Sequence, residues 1–173
     1  MGVYFFELYK YMINMRIPIR YVPAQLTTKD RKKQVNAIKR SRKLYKKHVY
    51  YTRPIVKSFK KRKSNHIEFA KKMYKLDKIV PNKELSKATR CTVKALKAIV
   101  RKGEGAYFSS GSRPNQTAQS WGLARLASAV SGGKSSVIDY SILENGCAYN
   151  SKALNLAKIM KEKGVRKTRK IIV

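Results

Sequence analysis

The sequence predicts a mainly α protein: a small, irregular helical domain with an extended N-terminal arm and a basic linker. Apolar residues recur at three- and four-residue spacing in several windows, as the buried stripe of a helix requires. Thr27, Ser64, Thr117 and Ser151 stand where such windows open, with side chains able to accept from first-turn amides. Gly103, Gly132 and Gly164 stand where they close. At 173 residues the chain suffices for one self-supporting domain.

Residues 1–26 read as an apolar, Tyr-rich arm whose prolines, Pro18 and Pro23, favour extended backbone at Ile17 and Val22. The arm packs on the protein's own core or docks on a partner or membrane surface. It contains Glu7 and Lys10 and no small-residue cleavage site, so it does not read as a signal peptide. Phe6 stands where a myristoylation pattern wants Ser or Thr. No run of about 18 apolar residues is present, so no spanning helix is expected.

Residues 27–103 read as a basic helical region. Thr27, with Asp30 in the first turn, starts a helix near residue 28 whose inward stripe is expected at Val35, Ile38, Arg42 and Tyr45. Pro54 and the run Lys60 to Lys63 then predict an exposed connection. A second helix, 65–76, carries Ile67, Ala70, Lys71 and Tyr74 on one face. A third is expected through KELSKATRCTVKALKAIVRKG, with a stripe of Leu85, Thr92, Leu96, Ile99 and Val100, ending at Gly103.

Residues 104–164 are rich in small side chains and carry little charge: positions 106–160 hold five basic residues and two acids. A loop to Asn115, a helix at 118–131, an apolar segment SVIDYSIL, a turn at Asn145-Gly146 and a helix from Ser151 to Gly164 are expected. Residues 165–173 read as a basic tail.

The outstanding quantity is charge. The chain has 41 Lys and Arg against 9 Asp and Glu, a formal net charge of +32. Such a surplus calls for an external anion, whereas a 43% hydrophobic content argues against a disordered polybasic tail. The cations cluster in residues 29–63, with 16 Lys or Arg and one acid, interleaved with Tyr45, Tyr50, Tyr51 and Phe59. Lys32, Lys33, Arg40, Arg42, Lys43, Lys46, Lys47, Lys60, Lys61, Arg62 and Lys63 are therefore the candidate polyanion- or partner-binding residues.

Other candidates carry less chemistry. Gly132-Gly133-Lys134-Ser135 approaches a phosphate-binding loop, but Ser128 stands where the first glycine belongs and a helix, not a strand, precedes it. It reads as the end of a helix. GEGAYFSSGSRPNQT is an ordinary turn or an anion loop, with Ser110, Ser112, Arg113 and Lys134 as its polar groups. Trp121 is expected to pack against Ala118, Ala124 and Ala127. His48 and His66 lack ligand-spaced neighbours, the acids form no obvious pair, and no catalytic, cofactor-binding or metal residues are nominated. Cys91 and Cys147, 56 residues apart, read as separate reduced thiols from a reducing compartment in preference to the alternative of one disulfide.

The segments RYVPAQLTTKDRKKQVNAIKRSRKLYKKHVYYTRP, KSFKKRKSNHIEFAKKMYKL and GAYFSSGSRPNQTAQSWGLARLASAVSGGKSSVIDYSIL resemble a family of small basic proteins of nucleocytoplasmic large DNA viruses, algal chloroviruses and giant-virus relatives among them. The likeness covers roughly residues 20–160, with Ser-Gly-Ser-Arg-Pro-Asn-Gln-Thr its most specific stretch; residues 1–19 lie outside it. The resemblance implies a virion component made in the host cytoplasm: a non-enzymatic minor capsid protein beneath the outer shell of a large icosahedral particle. Its implied partners are the major capsid protein, other minor capsid proteins, an anionic inner membrane and viral DNA. The alternatives are a DNA-condensing core protein and, lower, a nucleic-acid-processing enzyme using Arg113, Arg125 or Lys134.

Overall fold

A computed structural model of the protein describes residues 15–61, 63–165 and 168–173. The expected apolar arm therefore lies outside the described residues from 1 to 14, as does Arg62. The described chain is mainly helical, with one two-stranded sheet. It divides into two units that interleave along the sequence: unit 1 comprises residues 1–60, 109–115 and 167–173, and unit 2 the remainder. This division cuts across the four consecutive segments read from the sequence.

Unit 1 begins with strand β1 (Arg16–Pro18) and a 3-10 turn (Ile19–Tyr21). The basic tail contributes strand β2 (Lys170–Ile172), antiparallel to β1 with Ile17 opposite Ile171. Pro18, which has no amide to donate, sits at the ladder's end. Helix α1 (Thr28–Tyr45) follows, capped by the Thr27 hydroxyl accepting from the Asp30 amide. Its buried stripe is Gln34, Ala37, Ile38 and Ser41. The expected stripe is thus rotated: Ile38 is buried, but Val35, Arg42 and Tyr45 only half so. Ile17, Tyr21, Val22, Leu26 and Val56 complete the apolar core.

A core this small is supplemented by polar ties. Gln34 Nε2 donates to the carbonyls of Tyr21 and Ser112, at 3.1 and 3.3 Å. Gly111 adopts φ +100°, and a Cβ there would press on Ile38 and Tyr21. The connection after α1 is largely exposed, as its composition suggested, but it is not loose. It folds back as a strap, residues 49–58, with Val56 and even Arg53 buried.

Unit 2 is helical: α2 (Asn65–Tyr74), α3 (Lys83–Thr89), α4 (Val93–Ser109, its last residue entering unit 1), α5 (Ala118–Val130), α6 (Lys134–Ile138), α7 (Tyr140–Gly146) and α8 (Lys152–Lys163). Helix α2 packs on α5, and α5, α6 and α8 pack on one another around Leu96, Ile99, Leu126, Val130, Leu143 and Leu154. Each such side chain taken from water contributes about 1.5–3 kcal/mol.

Several boundaries differ from expectation. The predicted third helix is two, because Arg90 takes a left-handed φ of +56° and Thr92 recaps the chain, its hydroxyl accepting from the Ala95 amide. Thr92 is consequently exposed. Gly103 does not stop α4, which continues to Ser109 and replaces the start of the expected loop. Gly103 instead permits α4 and α5 to touch backbone to backbone, since a Cβ there would lie 2.6 Å from the Gly122 Cα. The segment SVIDYSIL contributes to α6 and α7, and Asn145-Gly146 closes α7 rather than forming a separate turn. Ser64 precedes α2 without a side-chain cap bond, whereas Thr117 and Ser120 form a reciprocal capping box at α5.

The cysteines are not separate thiols. Cys91 and Cys147 form a disulfide, framed by backbone bonds from Thr92 N to Gly146 O at 2.7 Å and Ala148 N to Arg90 O at 2.8 Å. Sequence spacing alone gave no sign that the start of α4 meets the end of α7, and it is this meeting that pairs them.

Candidate polyanion-binding surface

Helix α1 exposes Lys29, Lys32, Lys33, Asn36, Arg40 and Lys43. Their spacing of three and four residues places them on one face, opposite Gln34 and Ile38. Lys46 and Lys47 extend the array into the turn beyond the helix, where cations meet the negative end of its dipole. From residue 29 to 47 the array spans about 27 Å at the helical rise per residue. Cations three or four residues apart along it lie within a Debye length of about 8 Å at physiological salt, the row being interrupted at Asn36. Each like-charged pair three or four residues apart costs roughly 0.2–0.5 kcal/mol, so an external anion would relieve strain the helix carries alone.

Unit 1 offers little compensation, for its sequence holds 20 Lys and Arg against Glu7 and Asp30. Asp30 is already engaged: its Oδ2 accepts from the Ser58 amide at 2.8 Å and the Ser58 hydroxyl at 2.7 Å. The Ser58 backbone bond, more than any other cause, holds its carboxyl below the usual carboxylate range.

Of the sequence-nominated cations, Lys32, Lys33, Arg40, Lys43, Lys46, Lys47, Lys60, Lys61 and Lys63 are exposed. Lys33 also ties down the strap, its Nζ donating to Ile55 O at 2.9 Å. Arg42 departs from the group. Half-buried, it donates to Ser110 O from Nη2 at 2.7 Å and Nε at 3.3 Å, and to Arg16 O from Nη1 at 3.5 Å. Burial draws its pKa down. Arg42 is a structural tie rather than part of the outward array.

The anion-loop candidates separate. Ser112 is buried, accepts from Arg53 Nη2 at 2.6 Å and donates to Arg113 O at 2.8 Å, so its hydroxyl serves the fold. Ser110 offers its carbonyl to Arg42, while Arg113 is exposed. Asn115, left-handed at φ +58°, accepts from the Val56 amide and donates to the carbonyls of Val56 and Phe59. The stretch 110–115 is thus the inner bracket of unit 1. Lys134 belongs to unit 2, at the start of α6.

Around Lys134 the amides are spent internally. Gly133 N donates to Ser128 O at 2.7 Å, Ser135 N to Ser128 Oγ at 3.3 Å and Ser136 N to Gly133 O at 2.9 Å. Gly132, at φ +70°, ends α5, and Gly133 opens α6; a Cβ on Gly133 would collide with Ser128 Oγ. Trp121 is half-buried on α5. Among the described residues no group of three His, Cys, Asp or Glu could hold a metal ion, and no helix is long and apolar enough to cross a membrane.

Two arrangements escaped sequence reasoning. One is the strap along α1, which carries exposed Tyr50 and Ile55. The other is in unit 2, where the fully buried Asp139 carboxylate is gripped by Arg125 at 2.7 Å through both oxygens and by Lys102 at 3.0 Å. The 36-residue separation of Lys102 from Ile138, whose carbonyl Lys102 also reaches, hides that triad from any local pattern.

Residues 18–142 match the model of a family of unknown function, DUF5824, over 125 of the 173 positions. No curated protein and no solved structure matches the chain.

Proposed function

The chain belongs to the DUF5824 family, and we propose that it is a non-catalytic structural protein that docks on an anionic surface through the outward face of α1. The observation that carries this reading is the one-sided cationic array from Lys29 to Lys47 in a unit with two acids among 20 Lys and Arg. Attraction of this kind favours rapid association and a fixed register more than tight individual contacts.

The setting is a viral particle, in which the protein serves as a minor capsid cement beneath the outer shell. This setting rests on the sequence resemblance alone. Its neighbours there are acidic faces of the major and minor capsid proteins and anionic lipid. Mature particles should contain the chain, and it should stay with the shell after nuclease digestion of the opened particle. Absence from mature particles would overturn the cement reading.

A second reading, a DNA-condensing core protein, is favoured by the regular cation spacing of α1. It predicts release of the chain by nuclease and binding to any duplex with a steep salt dependence.

A further inference from the structure

The strap runs antiparallel to α1 and is fastened at intervals. Val49 N donates to Leu44 O at 3.0 Å, the Tyr50 ring meets Tyr45 edge-on at 6.0 Å, and Arg40 lies 4.8 Å over the Tyr51 ring. Further along, Lys33 holds Ile55 O, and Ser58 holds Asp30 while accepting from the Thr27 amide at 3.2 Å. Arg53 and Val56 anchor the inner side. The outer side nevertheless presents Val49, Tyr50 and Ile55, respectively 48, 67 and 71% exposed. Fixed backbone on both sides of these residues makes their exposure a property of the fold. Exposed Lys46, Lys47 and Lys57 stand beside them in the chain.

We infer that the strap and the adjoining cationic face of α1 form a surface for anionic lipid bilayers. The lysines meet headgroup phosphates and carboxylates, Tyr50 sits at headgroup level with its ring inward and hydroxyl wet, and Val49 and Ile55 enter the acyl boundary. This inference rests on the anionic-surface reading and names its partner. A nucleic acid duplex would satisfy the lysines but leave both aliphatic side chains in water. Tyr51, whose ring lies under Arg40, is poorly placed to add a second stacking platform for single strands. Folded protein surfaces intersperse both signs of charge, whereas a unit so lacking in acids matches a laterally uniform negative sheet.

The experiment uses the full chain with vesicles of phosphatidylcholine alone or with about 30% phosphatidylserine, and a DNA duplex as control, at about 150 mM salt. The protein should sediment with the anionic vesicles only. Replacing Tyr50→Ser and Ile55→Ser together should weaken vesicle binding at least about tenfold, the scale of losing two partly inserted side chains. Duplex binding should not change, and the thermal unfolding midpoint should fall by no more than the few degrees that losing the Tyr45–Tyr50 ring contact costs. Vesicle binding equal to wild type in the double variant would overturn the inference, as would duplex binding without vesicle binding; both leave the anionic-surface reading standing. Failure to bind vesicles, duplex and polyglutamate alike would remove that reading as well.

Discussion

Arg53 reaches from the strap into the core of unit 1, its Nη2 donating to the Ser112 hydroxyl at 2.6 Å and its Nη1 to Ser41 Oγ at 3.4 Å. A guanidinium left buried with fewer acceptors bears a desolvation cost. Ser112→Ala should therefore lower the stability of unit 1 by about 1–3 kcal/mol in urea unfolding. A variant as stable as wild type would show that the guanidinium finds equal company elsewhere.

The crossing of α4 and α5 has no room for a methyl group. Gly103→Ala should cost about 1–3 kcal/mol through overpacking, despite alanine's better helix propensity. Gly164→Ala offers a control of the opposite kind, because nothing lies within 4 Å of that site and only its φ of +70° resists the change. Chemical denaturation of both variants separates steric from backbone effects.

The cross-link between Cys91 and Cys147 closes a 56-residue separation. On the chain-entropy account, Cys147→Ser should lower stability by about 4 kcal/mol. Thiol titration of the unreduced, denatured protein should find no free sulfhydryl. Two titratable thiols per chain would contradict the pairing.

Tyr74 supplies a pH dependence. Its hydroxyl donates to Val130 O at 2.6 Å, and burial raises its pKa from the ordinary 10.0 to about 12. A pKa higher in the folded than in the unfolded chain gives stability that is full below pH 10 and lost as the pH climbs toward 12. Unfolding midpoints measured across that window should fall more steeply for wild type than for Tyr74→Phe.

The array on α1 makes a quantitative demand. Lys32→Glu, Arg40→Glu and Lys43→Glu together should weaken binding to a DNA duplex and reduce the salt slope by about three, one for each lost phosphate contact. An unchanged slope would place the binding elsewhere on the chain.

Local chemistry was legible wherever a single turn decides the structure. Thr27, Thr117 and Ser151 start the helices they were expected to start, because an N-cap hydroxyl needs only an amide three residues on. Gly132 and Gly164 end helices for an equally local reason. What eluded sequence reading is set by partners far along the chain. Gly103 looks like a helix stop until Gly122 is seen against it, and Arg90 carries no mark of its left-handed turn. Lys170–Ile172 becomes a strand only because Arg16–Pro18 waits for it. Exposure of the nominated lysines was legible because a lone cation on an apolar-striped helix faces water, whereas Arg42 turns inward because the carbonyl of Ser110, 68 residues away, claims it.

Unit 1 is assembled from residues 1–60, 109–115 and 167–173. A ribosome thus releases the densest cluster of lysines long before the bracket at Ser112 and the closing strand at Ile171 emerge. Until Ile171 has emerged, that segment is a polycation without its final fold, which any RNA nearby would attract. Cutting the gene between codons 60 and 109 would yield two fragments, neither able to complete the N-terminal core. Dissection by point substitution, in the intact polypeptide, is the route this topology leaves open.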